Sequence, residues 1–418
     1  MPRRLLALGE WLMLGAFVGV LCGASSAVFL LLLDRATAWR TSHETIVWTM
    51  PVAAVVIGLI YERWGKPIKG GANLIIDAIH DGGPLVPLRM APMVLIGTVL
   101  THLFGGSAGR EGTAVQMGAS LAEEMGHRLG LTGDRRRHLL AAGVAGGFGS
   151  VFGTPIAGAI FGLEFVALGT FDVAAMLPAV VASVVGDEVT RALGVVHTPY
   201  PLVPAVALSP RLVAIWVLFA ACVALTATAF IELTHAIKRV SEARVPRLPV
   251  RMALGSVMLL VLWQGAGTSD YLGLGVPTIV RAFSDPSVPA AAFALKLVFT
   301  AVTIGVGFLG GEVTPLFFVG ATLGGLLARL TGVPLELGAG VGLAAVFGAA
   351  SNTPLALTIM AVELLGANVL PHAAIVCVLA YVLTGHRSLY PSQRIARMKL
   401  GRKLSAPVRV SDVREEER

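Results

Sequence analysis

The sequence predicts an all-α integral membrane protein made of two inverted halves, and three observations support that fold class. Of the 418 residues, 55% are hydrophobic and only 14% are charged, whereas a soluble domain carries roughly 25% charged residues. Many of the basic residues lie in short runs between long apolar stretches. The two halves of the chain also carry the same motifs in the same order.

The apolar stretches account for most of the chain and suit a bilayer, which requires about 20 apolar residues for each spanning helix. They lie near 11–33, 45–61, 90–104, 138–152, 155–168, 172–186, 211–233, 250–264, 291–308, 315–330, 337–350, 355–366 and 370–384. Several are too short for a full span. Short, glycine-interrupted segments predict broken and tilted helices that line an internal cavity.

The first apolar stretch is predicted to be a retained helix, because no small-residue cleavage site closes it. The cysteines Cys22, Cys222 and Cys377 lie in apolar runs without metal-ligand spacing. We interpret them as buried free thiols.

The net charge of +7 is distributed in short basic runs rather than on one folded face. The runs lie at 135–137, 238–247 and 387–403. This pattern predicts cytoplasmic loops and a cytoplasmic C-terminus, and it argues against nucleic-acid binding.

Four matched features divide the chain into two halves. A glycine-rich turn with a glutamate occurs at 109–113 and again at 310–315, and each is followed by a Gly-Ala-Ser/Thr-Leu step and then by Thr-Pro. Each Thr-Pro begins an apolar helix with one glutamate, Glu164 or Glu363. We therefore predict a first half-repeat at 1–200, an inverted second half-repeat at 201–395, and a substrate site between them near the midplane.

The segment 105–118 places the carboxylate of Glu111 at the start of a predicted helix. Its glycines allow backbone amides to face a small ligand, and the helix N-terminus adds unpaired N–H groups. This is an anion site in which the carboxylate can itself reside, or which it can leave when it is protonated. A helix cap, or an ion pair with Arg110, is the alternative interpretation.

The matching turn at 310–318 opens a second helix near Pro315, whose missing N–H has no cost at that position. Two helix N-termini are then expected to face one cavity. Phe317 and Phe318 are most simply core aromatics, although Phe318 lies one turn from Thr314 and can offer a positive ring edge to an anion.

A third glycine-to-helix transition lies at 70–76 and is followed by Asp77. By itself it is only a weak indication of a functional site. Tyr390 begins the basic tail and is equally consistent with an interfacial position. The nine histidines have no ligand spacing, and no nucleophile–base pair or phosphate-binding loop is present in the sequence. We therefore predict no metal site, no cofactor and no enzymatic activity.

These motifs resemble the CLC family of anion channels and anion/proton exchangers, over residues 11–395. The turn 109–113 resembles the family's GREGP motif, with Glu111 on its gating glutamate, and 311–315 resembles GxFxP. Tyr390 falls on the family's central tyrosine. The resemblance implies a homodimer with one pathway per subunit, in the inner membrane of a bacterium. Besides Glu111, it implies anion-pathway roles for Ala72, Asn73, Gly109, Arg110, Gly112, Thr113, Val313, Thr314, Phe317, Phe318 and Tyr390.

Departures from the chloride-transporting pattern resemble the family's fluoride/proton antiporter branch. The GSGIP motif is replaced by Gly-Ala-Asn-Leu-Ile at 71–75, and GREGP has become GREGT. In that branch Thr314 would contact the gating glutamate, and Phe318 would direct a ring edge at fluoride. The usual partner ring would come from near Ile75 or Ile76, and neither is aromatic.

The inner proton-accepting glutamate of chloride/proton exchangers falls here at Phe165, beside Glu164. The fluoride branch is similar in lacking that acid, so Glu111 would have to serve both sides of the membrane. The resemblance thus implies export of fluoride in exchange for protons. The alternatives are a chloride or nitrate/proton exchanger and a passive anion channel. Residues 396–418 are expected to be a short basic cytoplasmic tail without a regulatory domain.

Overall fold

The computed structural model describes residues 2–80, 84–168, 171–401 and 403–416, and most of them are helical. The α-helices are α1 (Pro2–Ser42), α2 (Met50–Trp64), α3 (Ala72–His80), α4 (Met90–Leu103), α5 (Glu111–Arg128), α6 (Gly133–Phe152), α7 (Pro155–Glu164), α8 (Met176–Ala192), α9 (Pro210–Arg244), α10 (Leu248–Ala266), α11 (Val276–Arg281), α12 (Ala292–Gly305), α13 (Val313–Thr331), α14 (Leu335–Ser351), α15 (Pro354–Leu365), α16 (Leu370–Leu383) and α17 (Val410–Glu416). Single 3-10 turns lie at Glu44–Thr49, Lys66–Ile68, Val173–Ala175 and Ala367–Val369.

Six helical segments of the described chain are long and apolar enough to cross a bilayer. They are Leu5–Ser42, Glu44–Trp64, Val173–Ala192, Pro210–Arg244, Leu248–Ala266 and Val313–Thr331. Several other apolar helices are shorter, including α4, α7, α12, α14 and α15. The mixture of full spans and short helices confirms the predicted multi-pass membrane fold.

Matched glycines allow matched helix pairs to pack closely in the two parts of the chain. A Cβ atom at Gly118 of α5 would overlap the carbonyl oxygen of Gly143 in α6. A Cβ atom at Gly320 of α13 would equally overlap the carbonyl of Gly342 in α14. Small residues at such contacts bring helix backbones together, which is how membrane helices associate without a hydrophobic driving force.

Helices α7 and α15 cap one another. Each begins at a Thr-Pro step and ends near a glutamate, and each glutamate accepts hydrogen bonds from the first free amides of the other helix. The donors are Ile156 and Ala157 for Glu363 (2.9 and 2.7 Å) and Leu355 and Ala356 for Glu164 (3.1 and 2.8 Å). The two helices therefore run antiparallel, and the glutamate that both halves contain has a structural use.

The C-terminal segment forms a small sheet that the sequence analysis did not predict. Strand β1 (Ala167–Leu168) pairs in parallel with β2 (Arg394–Arg397), which pairs antiparallel with β3 (Lys403–Arg409). The region expected to be a basic tail thus begins within β2 and is folded against the membrane helices. The cysteines are free thiols, of which Cys22 and Cys377 are buried and Cys222 is half-buried.

Candidate functional site

Two glycine-rich turns meet at the centre of the protein. Gly109 and Gly311 exchange both backbone hydrogen bonds, at 2.6 and 2.8 Å, as an isolated antiparallel bridge. A Cβ atom at Gly311 would lie 2.6 Å from the backbone nitrogen of Gly112. Glycine is therefore required for the close approach. The bridge places the N-termini of α5 and α13 side by side, as the matching motifs predict.

The Glu111 side chain is fully buried at this junction. Its carboxylate accepts hydrogen bonds from the backbone amides of Arg110 (3.0 Å) and Thr314 (3.2 Å), and the Thr314 hydroxyl also donates to it. The Arg110 Nε lies 3.5 Å from the same carboxylate. Glu111 therefore occupies the N-terminus of α13, a place where free N–H groups and the helix dipole favour any anion.

The neighbours of Glu111 are buried and mostly neutral. Thr113 exchanges a hydrogen bond of 2.6 Å with the Thr98 hydroxyl of α4. Val313 and Thr314 are 2% and 1% exposed, and Arg110 is 9% exposed. The N–H and O–H donors around Glu111 supply the hydrogen bonds that a buried carboxylate requires.

The rings of Phe317 and Phe318 are fully buried but have different neighbours. Phe317 packs on Phe152 and Phe347, with ring centroids 5.3 and 6.2 Å apart, and is a core aromatic. Phe318 lies edge-to-face with Tyr271 at 6.0 Å. Only Phe318 of the pair stands beside polar groups, among the contacts of the described residues.

The third predicted motif faces the C-terminal segment. Ala72 and Asn73 are half-buried at the start of α3, and the Asn73 side-chain oxygen accepts a hydrogen bond of 3.0 Å from the Ser392 amide. Asp77 accepts from the Ser392 hydroxyl and from Arg409, both at 3.0 Å. The structure thus uses the polar groups of this helix to hold the C-terminal segment.

Tyr390 is 5% exposed and packs edge-to-face on Phe165, with ring centroids 4.9 Å apart. Phe165 is 1% exposed and continues into an aromatic stack with Phe161. The position at which chloride/proton exchangers would carry an inner acid is therefore packed core. The adjacent Glu164 is engaged as the cap of α15.

Sequence reasoning missed two buried basic residues near the site. His102 places its ring nitrogens 2.8 and 2.9 Å from the carbonyl oxygens of Thr98 and Ala108, and so holds the glycine turn that precedes Glu111. Lys296 lies fully buried in α12. A lone lysine inside the apolar run 291–308 was the signal that could have revealed it.

A model of the family described as voltage-gated chloride channel matches residues 52–385. The chain belongs to this CLC family. The resemblance identified from the motifs is thereby confirmed, and the protein is a member of a family of channels and transporters.

Individual relatives of this CLC chain agree with the assignment. A chloride/fluoride channel protein of Pseudomonas syringae pv. tomato is 45% identical, over 98% of this chain and 91% of the relative. The crystal structure of a CLC-type fluoride/proton antiporter superposes with a TM-score of 0.90 and 35% identity, covering 94% of this chain and 99% of the other. A slow cyanobacterial Cl⁻/H⁺ antiporter has a TM-score of 0.80 at 19% identity, over 90% and 94% of the two chains, and shares the fold.

Proposed function

We propose that this CLC-family protein exports fluoride in exchange for protons, with Glu111 as the group that couples the two ions. One observation carries the proposal. The buried Glu111 carboxylate accepts hydrogen bonds at the N-terminus of α13 from Thr314, where a small anion would bind. The relative and the solved structure that have fluoride in their names support fluoride as that anion.

A single carboxylate can link proton and anion occupancy. When charged, Glu111 competes with the anion for the N–H groups of Arg110 and Thr314. When protonated, it loses most of that attraction and can leave the site to the anion. Because Phe165 occupies the inner position, Glu111 is the group we assign to proton transfer on both sides.

The pathway we propose contains Thr314 as the direct partner of Glu111 and Phe318 as an aromatic neighbour. We assign its walls near Glu111 to Gly109, Arg110, Gly112, Thr113 and Val313. The same pathway also includes Ala72, Asn73, Phe317 and Tyr390 in this proposal. We propose that a homodimer, each subunit with its own pathway of half-repeats 1–200 and 201–395, resides in a bacterial inner membrane. No cofactor takes part in this scheme.

A chloride or passive-channel function is the second candidate, because the Pseudomonas relative is named a chloride/fluoride channel protein. Recording fluoride, chloride and pH together on reconstituted liposomes separates these functions. We expect fluoride to move much faster than chloride, with protons moving in the opposite direction. Equal fluoride and chloride fluxes, or fluoride flux without proton movement, would contradict the proposal.

A further inference from the structure

The ammonium group of Lys296 has no carboxylate partner in the part of the chain that the structure describes. Lys296 lies in the second turn of α12 and is 0% exposed. Its Nζ donates to the carbonyl oxygens of Tyr271 (3.0 Å) and Gly273 (2.6 Å) and lies 5.4 Å from the Phe318 ring centroid. Two carbonyl dipoles and a ring face thus surround the Lys296 amino group, and none of them carries the negative charge that would neutralise an ammonium ion.

A second buried cation lies next to it. Arg40, in the last turn of α1, is 6% exposed. Its Nε is buried without a hydrogen-bond partner, and across residues 2–80, 84–168, 171–401 and 403–416 its guanidinium forms no ion pair. A guanidinium buried to this extent is normally paired, because it loses its hydration without compensation.

Both cations converge on Gly273, in the turn between α10 and α11. The Gly273 carbonyl binds Lys296, and a Cβ atom at Gly273 would lie 3.0 Å from an Arg40 Nη atom and 3.8 Å from the His102 ring. The φ of +57° at this position favours glycine.

The nearest acids do not neutralise the pair. Glu44 interacts electrostatically with Arg40, and Asp270 with Lys296, but neither is within ion-pair distance of them. Glu44 is exposed and accepts a hydrogen bond of 3.2 Å from Ser269, while Asp270 pairs with Arg281 at 3.7 Å. Two buried basic side chains thus lack a carboxylate partner in a region of low dielectric constant.

The cluster lies on the side of the membrane opposite the basic runs. The run 238–247 ends α9, and α10 then crosses to the turn that contains Gly273. Since basic loops mark the cytoplasmic side, Arg40 and Lys296 are on the outer side. The Gly273 amide also donates a hydrogen bond of 3.1 Å to the carbonyl oxygen of Gly106, which lies in the glycine turn that precedes Glu111.

We propose that Arg40 and Lys296 form a second anion-binding site on the outer side of the protein, which takes a small monovalent anion such as a halide. An anion there supplies the missing counter-charge, and the burial of Lys296 restricts the ligand to a small ion. The Lys296 charge over the face of Phe318 also draws electron density toward itself, which makes the opposite ring edge more positive toward an anion.

In transport this site holds the anion between Glu111 and the outer solution, a role that rests on the proposed function. Positive charge along the path of an anion raises its local concentration and its on-rate by about 10- to 1000-fold. Losing one of the two charges should therefore raise the half-saturating outer anion concentration by about tenfold. In Arg40→Gln the maximal rate should change little, because Glu111, Thr314 and the contact of Lys296 with Phe318 remain in place.

Crystals of the full chain grown in sodium bromide test the site through the anomalous signal of bromide. We expect a bromide peak between Arg40 and Lys296 that is lost in Arg40→Gln and in Lys296→Met. Arg191→Gln is the matched control, because Arg191 is an arginine of α8 that pairs with Asp187 at 2.9 Å and contacts neither Arg40 nor Lys296 among the described residues. The bromide peak should persist in this variant. If Lys296→Met does not fold, the Arg40→Gln crystals decide the question.

A wild-type map with bromide near Thr314 but none at Arg40 would refute the site. A peak at Arg40 with an unchanged half-saturating outer anion concentration in Arg40→Gln would refute its role in transport. Bromide binding does not depend on which ion is exported. Protein that binds bromide at Arg40 but moves no fluoride would defeat the proposed function and leave this site standing.

Discussion

At the scale of single residues, the site depends on one carboxylate and the groups that hold it. Glu111 is bound by the amides of two residues and by the Thr314 hydroxyl. At the inner position Phe165 has no group that can carry a proton, and the adjacent Glu164 caps a helix. We therefore expect substitution of Glu111 to have a strong effect on the coupling between fluoride and proton transport.

We predict that Glu111→Gln abolishes fluoride-driven proton movement in liposomes. Glutamine resembles the protonated acid but can neither release a proton nor compete as an anion for the site. We also expect fluoride flux to fall, because movement of the charged carboxylate is part of each anion step. Parallel fluoride and proton recordings measure both effects.

Persisting proton pumping in Glu111→Gln would remove Glu111 from the mechanism. The candidates for the proton carrier would then be Glu164 and Glu312, which is the glutamate of the glycine-rich turn at 310–315. Loss of proton movement with a fast fluoride leak would retain Glu111 as the proton carrier. That result would contradict the view that movement of the Glu111 side chain limits the rate of fluoride transport.

Thr314→Val keeps the shape of the side chain but removes the hydroxyl that binds Glu111. We expect the number of protons moved per fluoride to change in this variant while the protein remains folded. Thr322→Val is a matched control on the same helix, because the Thr322 hydroxyl bonds only to backbone carbonyls of its own helix. An identical effect of the two changes on coupling would place Thr314 among ordinary helix-packing residues.

Phe318→Ile removes the aromatic edge and should slow fluoride flux per folded molecule. Phe230→Ile controls for the loss of a buried ring, since Phe230 of α9 is also 0% exposed. If Phe318→Ile is destabilised but each folded molecule transports fluoride at the normal rate, the ring serves core packing. A large-to-small change in a core lowers the free energy of unfolding by roughly 1 to 5 kcal/mol.

At the scale of helices, the reciprocal caps of α7 and α15 explain why both halves contain a glutamate after Thr-Pro. Each carboxylate satisfies two amides that would otherwise be free at a helix start. Charged caps of this kind also interact favourably with the helix dipole. The symmetry of the contact makes Glu164 and Glu363 matched controls for one another.

We predict that Glu164→Ala and Glu363→Ala each lower stability by roughly 1 to 2 kcal/mol, as the loss of a helix cap does. Turnover per folded molecule should remain, because neither residue contacts Glu111. Thermal unfolding in detergent and liposome flux measure the two effects. Loss of proton coupling in Glu164→Ala alone would show that Glu164 carries protons.

At the scale of the whole molecule, Gln393 ties the C-terminal segment to both parts of the membrane domain. It is 0% exposed. Its amide nitrogen donates 2.8 Å to the carbonyls of Phe165 and Ser351, and its oxygen accepts from Ser388 (2.5 Å) and Asn352 (3.2 Å). The segment that carries Tyr390 is therefore fixed by a buried amide, Gln393, whose side-chain nitrogen and oxygen each form two hydrogen bonds.

Replacing Gln393 by Leu should destabilise the protein by roughly 2 to 4 kcal/mol, since several buried polar groups lose their partner. We also expect faster trypsin cleavage in the 394–409 region. Gln264→Leu is the control, because Gln264 is exposed at the end of α10. Unchanged protease resistance of Gln393→Leu would show that the sheet alone anchors the segment.

The sequence by itself determined the membrane class, the repeated motifs, the family and the position of Glu111. Composition and the length of apolar stretches are sums over many residues, so they can be evaluated without knowing which residues are in contact. The glycine-rich turns could also be recognised from the sequence, because glycines before a helix N-terminus allow backbone amides to face a small ligand.

Only the tertiary structure decided which partners each polar group has. Glu164 and Glu363 are identical in the pattern, yet their capping role appears only when antiparallel helices meet. The sequence does not show that the Asn73 side chain accepts a hydrogen bond from Ser392, more than 300 residues away. Arg40 and Lys296 were unremarked because they are distant in sequence. The two side chains interact only because the fold brings both of them to Gly273. The energy of that interaction depends on their separation and burial, which the sequence does not show.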